Sequence, residues 1–201
     1  SAALDAVTGT NDGQMDEVHG LRNTYAADLV VLLINDSSSC GVGWLPTTVS
    51  TSNQGLGFSV THWDCATGYY SFGHEIGHNM GARHDRYVDG GSTPYSHGHG
   101  YANKTVRIRS IMAYNNDCSD SGFNCTRVNH WSASDRMYNG SSVIGDSSSR
   151  NNDALNASVY TIANYRTSAS TYTLGISKAG TGTGTIASVP AGINCGSTCT
   201  A

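Results

Sequence analysis

The sequence predicts an α/β fold of two unequal parts, on three observations. Strand and helix patterns alternate through about the first eighty residues, the following seventy or so carry little periodicity, and the composition changes at Thr167. Residues 13–26 open with Asn-Asp-Gly and repeat Met15, Val18, Leu21, Tyr25 and Ala26 at helical spacing, which predicts an amphipathic helix. The β-branched apolar run from Asp28 to Asn35 predicts a strand covered on both faces. Ser37 to Gly55 reads as a long loop. Gly57 to Trp63, where Phe58, Val60 and His62 alternate with small polar residues, reads as an edge-like strand. A helix is signalled from Gly68 to Met80, and after an irregular stretch a last one spans Asp153 to Arg166.

The expected organisation is a main domain over 1–166, a Ser/Thr/Ala linker over 167–171 and a β-rich tail over 172–201. Thr173–Ser177 and Gly184–Val189 flank a Gly-Thr repeat, which predicts a β-hairpin.

Charged residues make up 13% of the 201 residues, against roughly a quarter in an ordinary soluble domain. There are two Glu (Glu17, Glu75) and two Lys beside thirteen Asp and nine Arg. A net charge of −4 with no basic run excludes an electrostatic case for nucleic acid. The longest apolar run, Leu29 to Ile34, falls far short of the roughly 18–20 residues of a membrane span. Cys40, Cys65, Cys118, Cys125, Cys195 and Cys199 are even in number and never spaced Cys-x-x-Cys, which favours disulfides and a secreted, extracellular protein. Six cysteines allow about fifteen connectivities; locality favours Cys40–Cys65, Cys118–Cys125 and Cys195–Cys199. The start, Ser-Ala-Ala-Leu, has no signal-peptide pattern, so a secretion signal, if one existed, has been removed.

The chemistry concentrates in His74-Glu75-Ile-Gly-His78-Asn-Met-Gly81-Ala-Arg-His84-Asp85. Residues four apart on a helix lie one turn above each other, so His74 and His78 can approach one cation with Glu75 beside them. His84 lies about 15 Å further along a continuous helix at about 1.5 Å per residue, so it can join them only if the chain turns back. Gly81 supplies that break, because glycine takes the left-handed conformation without a Cβ penalty. Three histidines leave zinc a fourth position for water, the arrangement of a catalytic site. Glu75 would accept the water's proton and return it to the leaving amine.

This stretch, with Ser110-Ile-Met112-Ala-Tyr114 about thirty residues later, resembles the metzincin zinc endopeptidases. Asp85 after the third histidine is similar to the reprolysin-like (adamalysin) branch, and Phe72 to Asp85 looks most like bacterial peptidases of the peptidyl-Asp metalloendopeptidase type. The resemblance implies a metzincin-like α/β (α+β) fold: a twisted mixed sheet with an active-site helix, then an irregular subdomain with one long helix. It implies His74, His78 and His84 as zinc ligands, Glu75 as general base and acid, and Met112 as a structural floor. It also implies that the strand through Gly57, Phe58 and Ser59 offers its edge to an extended substrate. Residues from Ala113 toward Trp131 would wall a pocket on the leaving-group side, with Arg107, Arg109 and Arg127 inviting an acidic side chain there. Tyr114 departs from the reprolysin pattern and is a possible zinc or oxyanion contact. The opening elements of such a domain have no counterpart before residue 13, and the tail resembles part of a Gly-rich bacterial extracellular repeat.

The function expected is therefore a secreted zinc-dependent endopeptidase acting as a monomer on proteins or peptides, with a preference for acidic residues near the bond cut. A calcium ion is possible on Asp117, Asp120 and the Asp146 region. The alternative is a non-catalytic, metzincin-derived binding or adhesion module.

Overall fold

Helix α1 (Ala2–Thr8) comes first in the computed structural model, which describes residues 1–167, 175–177, 179–187, 194–195 and 198–200. This helix lies where the sequence signals no element. The Ser1 side chain accepts from Leu4 N at 3.2 Å, which satisfies one of the free N–H groups of its first turn. Helix α2 (Glu17–Thr24) starts later than the predicted 13–26, because Met15 takes a left-handed φ of 57° and the Asp16 carboxylate accepts from Gly13 N at 3.0 Å. The predicted apolar face is borne out only in part: Met15 and Val18 pack against the core of Leu4, Val7, Phe58 and Val60, but Leu21 and Tyr25 are exposed and Arg22 is buried. The Arg22 guanidinium lies over the Phe58 ring and donates to the carbonyls of Ala27 and Asp28, so its polar end is satisfied while its stem packs.

Strand β1 (Val30–Ile34), β2 (Gly41–Gly43) and β3 (Phe58–His62) form a sheet in the order β1-β3-β2, with a 3₁₀ turn at Thr51–Leu56 before β3. β1 runs parallel to β3, with Val30 opposite Phe58, and β2 runs antiparallel, with Val42 opposite Val60. This corrects the expectation for Gly57, Phe58 and Ser59. β3 is the central strand, paired on both sides, so it has no edge to offer; the edge strands among the described residues are β1 and β2, and it is β2 that lines the cleft. The small polar residues that suggested exposure, Ser59 and Thr61, are fully buried, because their size lets a helix lie close on that face. On the other face Phe58 and Val60 pack with Leu4 and Val7 of α1 in one apolar cluster. β1 is only half covered, with Leu33 exposed, where burial on both faces was expected.

The predicted helix over Gly68–Met80 is two helices, α3 (Cys65–Gly68) and α4 (Ser71–Asn79), broken at Tyr70 with φ 57°. α4 ends in two reversed bonds, Ala82 N to Gly77 O at 2.8 Å and Gly81 N to His78 O at 2.9 Å, around Gly81 at φ 91°. That is the glycine-terminated stop the sequence predicts. Asn79 Nδ2 reaches the carbonyls of Trp44, Leu56 and Phe58 at 2.9, 3.1 and 2.9 Å, fixing the end of α4 to the sheet.

Beyond Gly81 lie short elements: β4 (Ala102–Asn103), β5 (Ile108–Arg109), α5 (Asn116–Ser119), β6 (Thr126–Arg127), β7 (Met137–Tyr138) and β8 (Ser142–Val143). Helix α6 (Asn151–Ile162) then contributes Leu155 to a second core of Ala82, Ile111 and Met112. Disulfides join Cys40 to Cys65 and Cys118 to Cys125.

The chain divides into a unit over Ser1–Thr167 and another over Ser168–Ala201. In the second, β9 (Gly175–Ser177) pairs with β12 (Thr198–Thr200) and β10 (Ile186–Ala187) with β11 (Asn194–Cys195), all antiparallel. The two strands expected to form one hairpin thus pair with later partners instead of each other. The Cys195 and Cys199 side chains and most of the 167–171 linker lie outside the described residues.

Cys40–Cys65 closes a loop of 25 residues, and its removal is expected to lower stability by about 3 kcal/mol. Urea unfolding of the Cys40→Ser/Cys65→Ser protein checks this; an unchanged midpoint would exclude a stabilising role.

Candidate metal centre and cleft

His74 and His78 lie one turn apart on α4, buried, with ring centroids 4.9 Å apart. After the Gly81 stop the chain returns, and His84 Nε2 lies 3.1 Å from His74 Nε2 and 3.0 Å from His78 Nε2. The tautomers follow from the other ring nitrogens. His74 Nδ1 is 2.9 Å from Ile111 O and His78 Nδ1 is 2.9 Å from Ala82 O; carbonyls only accept, so both Nδ1 atoms carry the proton. The Nε2 atoms of His74 and His78 are then bare lone pairs, and His84 Nε2 has one proton at most to share between them.

Three such nitrogens at contact distance need a cation or added protons. Burial opposes protons: it holds His74 well below its ordinary value, and lowers His78 to about 4 and His84 to about 3. The spacing suits zinc, whose bonds of about 2.0–2.1 Å to nitrogen set tetrahedral ligand atoms roughly 3.3 Å apart. Among the described residues this is the one cluster of three or more His, Cys, Asp or Glu side chains with converging ligand atoms. The expected calcium finds no such support. Asp117 pairs with Lys104, Asp120 accepts from the Tyr87 hydroxyl, and Asp146 accepts from Ser148.

Glu75 is buried at 4% exposure on the neighbouring face of α4. Burial raises its carboxyl to about 8, with the Arg127 charge opposing the shift. Beneath the histidines, Met112 is fully buried in the turn closed by Ala113 N to Ser110 O at 3.0 Å. A Cβ at Gly77 would lie 3.0 Å from both Met112 Sδ and Trp131, so the glycine lets this floor approach the helix. Asp85 ties the third histidine to that turn, its Oδ2 accepting from Tyr114 N at 2.7 Å. The Tyr114 ring centroid lies 4.2 Å from that of His84.

Two cavities of about 240 and 260 Å³ meet at Gly41, His74, Glu75 and Tyr114. The second extends along Val42, Gly43 and Leu45 to His78 and His84. The first is lined by Ser39, Cys40, Tyr69, Ser71, Arg109 and Arg127. Arg127 donates to Tyr69 O at 3.1 Å and Ala113 O at 3.2 Å, and its buried Nε has no partner. Arg109 donates to Cys125 O at 3.0 Å and to the same Ala113 O at 2.6 Å. Burial lowers Arg109 to about 10, with Arg127 adding to the shift, and burial lowers Arg127 too. Among the described residues neither guanidinium pairs with a carboxylate. Arg107 stands apart, stacked 4.9 Å over the Phe123 ring.

Sequence reasoning missed the β2 edge, for which Gly41-x-Gly43 was the available signal, and it missed His99. That histidine is fully buried, 2.8 Å from His84 O and 2.8 Å from Gly91 O, and so holds the backbone of the third ligand.

Residues 1–132 match the family profile described as Metallo-peptidase family M12 (reprolysin type). The chain is 45% identical over 167 residues to the peptidyl-Asp metalloendopeptidase of Stenotrophomonas maltophilia (strain K279a), covering 81% of this chain and 38% of that protein. It is 43% identical over 158 residues to the protein of that name from Xanthomonas campestris, covering 78% and 35%. A third of that name, from Pseudomonas fragi, is 48% identical over 81 residues, covering 40% and 52%. The chain thus spans less than two fifths of the length of the first two relatives. No solved structure matches.

In the metal-free chain the depressed histidines contribute stability above their ordinary value of 6.5, lost as the pH falls toward about 4, because unfolded imidazoles take up protons that the folded ones refuse. Denaturation midpoints across that range check the direction. Zinc at about a thousand times its Kd is expected to add about 4 kcal/mol at neutral pH, reversed by a chelator. No response to either would remove the metal site.

Proposed function

The chain belongs to metallopeptidase family M12, and from that premise we propose that it is the core of a secreted, zinc-dependent endopeptidase. The observation that carries this is the convergence of His74, His78 and His84 beside a buried glutamate in an open cleft. The two disulfides and the Lys-poor composition support secretion. Every group in the proposed reaction comes from one chain, so a monomer suffices.

Bound to the three imidazoles, zinc would polarise the scissile carbonyl and acidify water. Glu75 takes the proton of the attacking water and passes it to the leaving amine. Tyr114 is read as the donor to the developing oxyanion, a reading supported by its position beside His84 and in the lining of both cavities. Ile111 O and Ala82 O keep the protons of two ligand rings on the far nitrogens. Met112 fills the floor beneath them.

The substrate is read as adding to the free edge of β2, whose Gly41–Gly43 run lines the cleft. An antiparallel peptide there runs from Gly43 toward Gly41, so residues following the cut bond reach the cavity of Ser39, Arg109 and Arg127. Two half-buried guanidiniums that form no salt bridge among the described residues favour an acidic side chain at that place. The family resemblance, and relatives named peptidyl-Asp metalloendopeptidase, agree with this preference.

Glu75→Gln is expected to lower peptide hydrolysis by about 10²–10⁴-fold while one zinc per chain is retained; steady-state assays with metal analysis check this, and undiminished activity would refute the mechanism. Arg127→Ala is expected to lower kcat/KM about 10²-fold for peptides with an acidic residue after the cut bond, and Arg107→Ala to leave it unchanged. Cleavage-site profiling on a peptide library reads both, and an intact acidic preference in Arg127→Ala would count against the pocket.

A further inference from the structure

Gly41 lies outside the left-handed region, so its backbone does not require glycine. The reason for glycine lies in the space beside it. A Cβ at Gly41 would lie 2.6 Å from Oε1, 2.7 Å from Cγ and 2.8 Å from Cδ of Glu75. Carbon contacts that short do not persist in a packed interior, so one partner would have to move. The Gly41 backbone is held by its pairing with Thr61 and by the Cys40–Cys65 disulfide beside it. The Glu75 backbone is held within α4, close enough to β2 that a Cβ at Gly43 would lie 2.8 Å from Glu75 O. The group free to yield is the Glu75 side chain.

We propose that Gly41 is a positioning residue for Glu75: the missing Cβ forms the slot that holds the carboxylate against the cleft. This rests on Glu75 acting as the general base. One strand then has two roles, its outer edge facing substrate and its inner face fixing the base. Gly43 differs in kind, because a side chain there meets the α4 backbone, which cannot swing aside; its substitution would harm folding.

Gly41→Ala is expected to lower kcat by about 10²-fold, the scale for a reacting group misplaced by ~1 Å, with KM, zinc content and thermal midpoint little changed. In a Glu75→Ala background, which leaves no Cγ, Cδ or carboxylate for the added methyl to meet, the same change is expected to lower the residual kcat by less than about threefold, the non-additivity of groups in contact. Single-turnover assays with excess enzyme keep the weaker variants measurable, and a crystal structure of Gly41→Ala is expected to show the Glu75 carboxylate displaced. Equal losses in both backgrounds, full kcat in Gly41→Ala, a variant that does not fold, or an unmoved Glu75 would each overturn the positioning role. An active Glu75→Gln enzyme would overturn the base assignment itself, and the positioning role with it.

Discussion

Two backbone carbonyls, Ile111 O and Ala82 O, decide the character of the site. By accepting from His74 and His78 Nδ1 they leave lone pairs on the opposite nitrogens, and those lone pairs converge with His84. Neither carbonyl is available by accident. Ala82 O is in reach because α4 stops at Gly81 and reverses, and Ile111 O because the turn carrying Met112 closes beneath the helix. A cation-binding cluster therefore depends on two pieces of backbone that hold no ligand themselves.

The low polarity of the interior acts in opposite senses on the groups around that cluster. It keeps the histidines neutral, as metal ligands must be, and it raises the Glu75 carboxyl above the usual carboxylate range. Among the described residues Arg127 and Arg109 hydrogen-bond to carbonyls and form no salt bridge, with Ala113 O shared between them, and both line the cavity. Ala113 also lies between Met112 and Tyr114, so the turn that supports the metal centre orients the cationic wall too.

Close approach makes this arrangement possible. α4 is pressed between the sheet and the turn, and the close contacts are made at residues with no side chain: Gly43 above and Gly77 below. Asn79 then fastens the helix end to three carbonyls of the sheet side. Larger residues at these places would move His74 away from the turn whose Ile111 O sets its tautomer.

The sequence by itself determined the metal cluster and its glutamate, because a helix fixes the i, i+4 relation and Gly81 fixes the turn, both local effects. It also determined the strand at Val30–Ile34, the breaker after α4, and the two disulfides of the first unit, each closing a short stretch of chain. Only the tertiary structure decided that β3 is central and that β2 is the edge strand lining the cleft, because period-two alternation tells which residues share a face but not which neighbours pair. It likewise decided that Arg22 turns inward, that Arg109 and Arg127 enter the cavity while Arg107 does not, and that the tail strands pair with later partners. These outcomes depend on contacts between residues distant in the chain, for which local propensity carries no information.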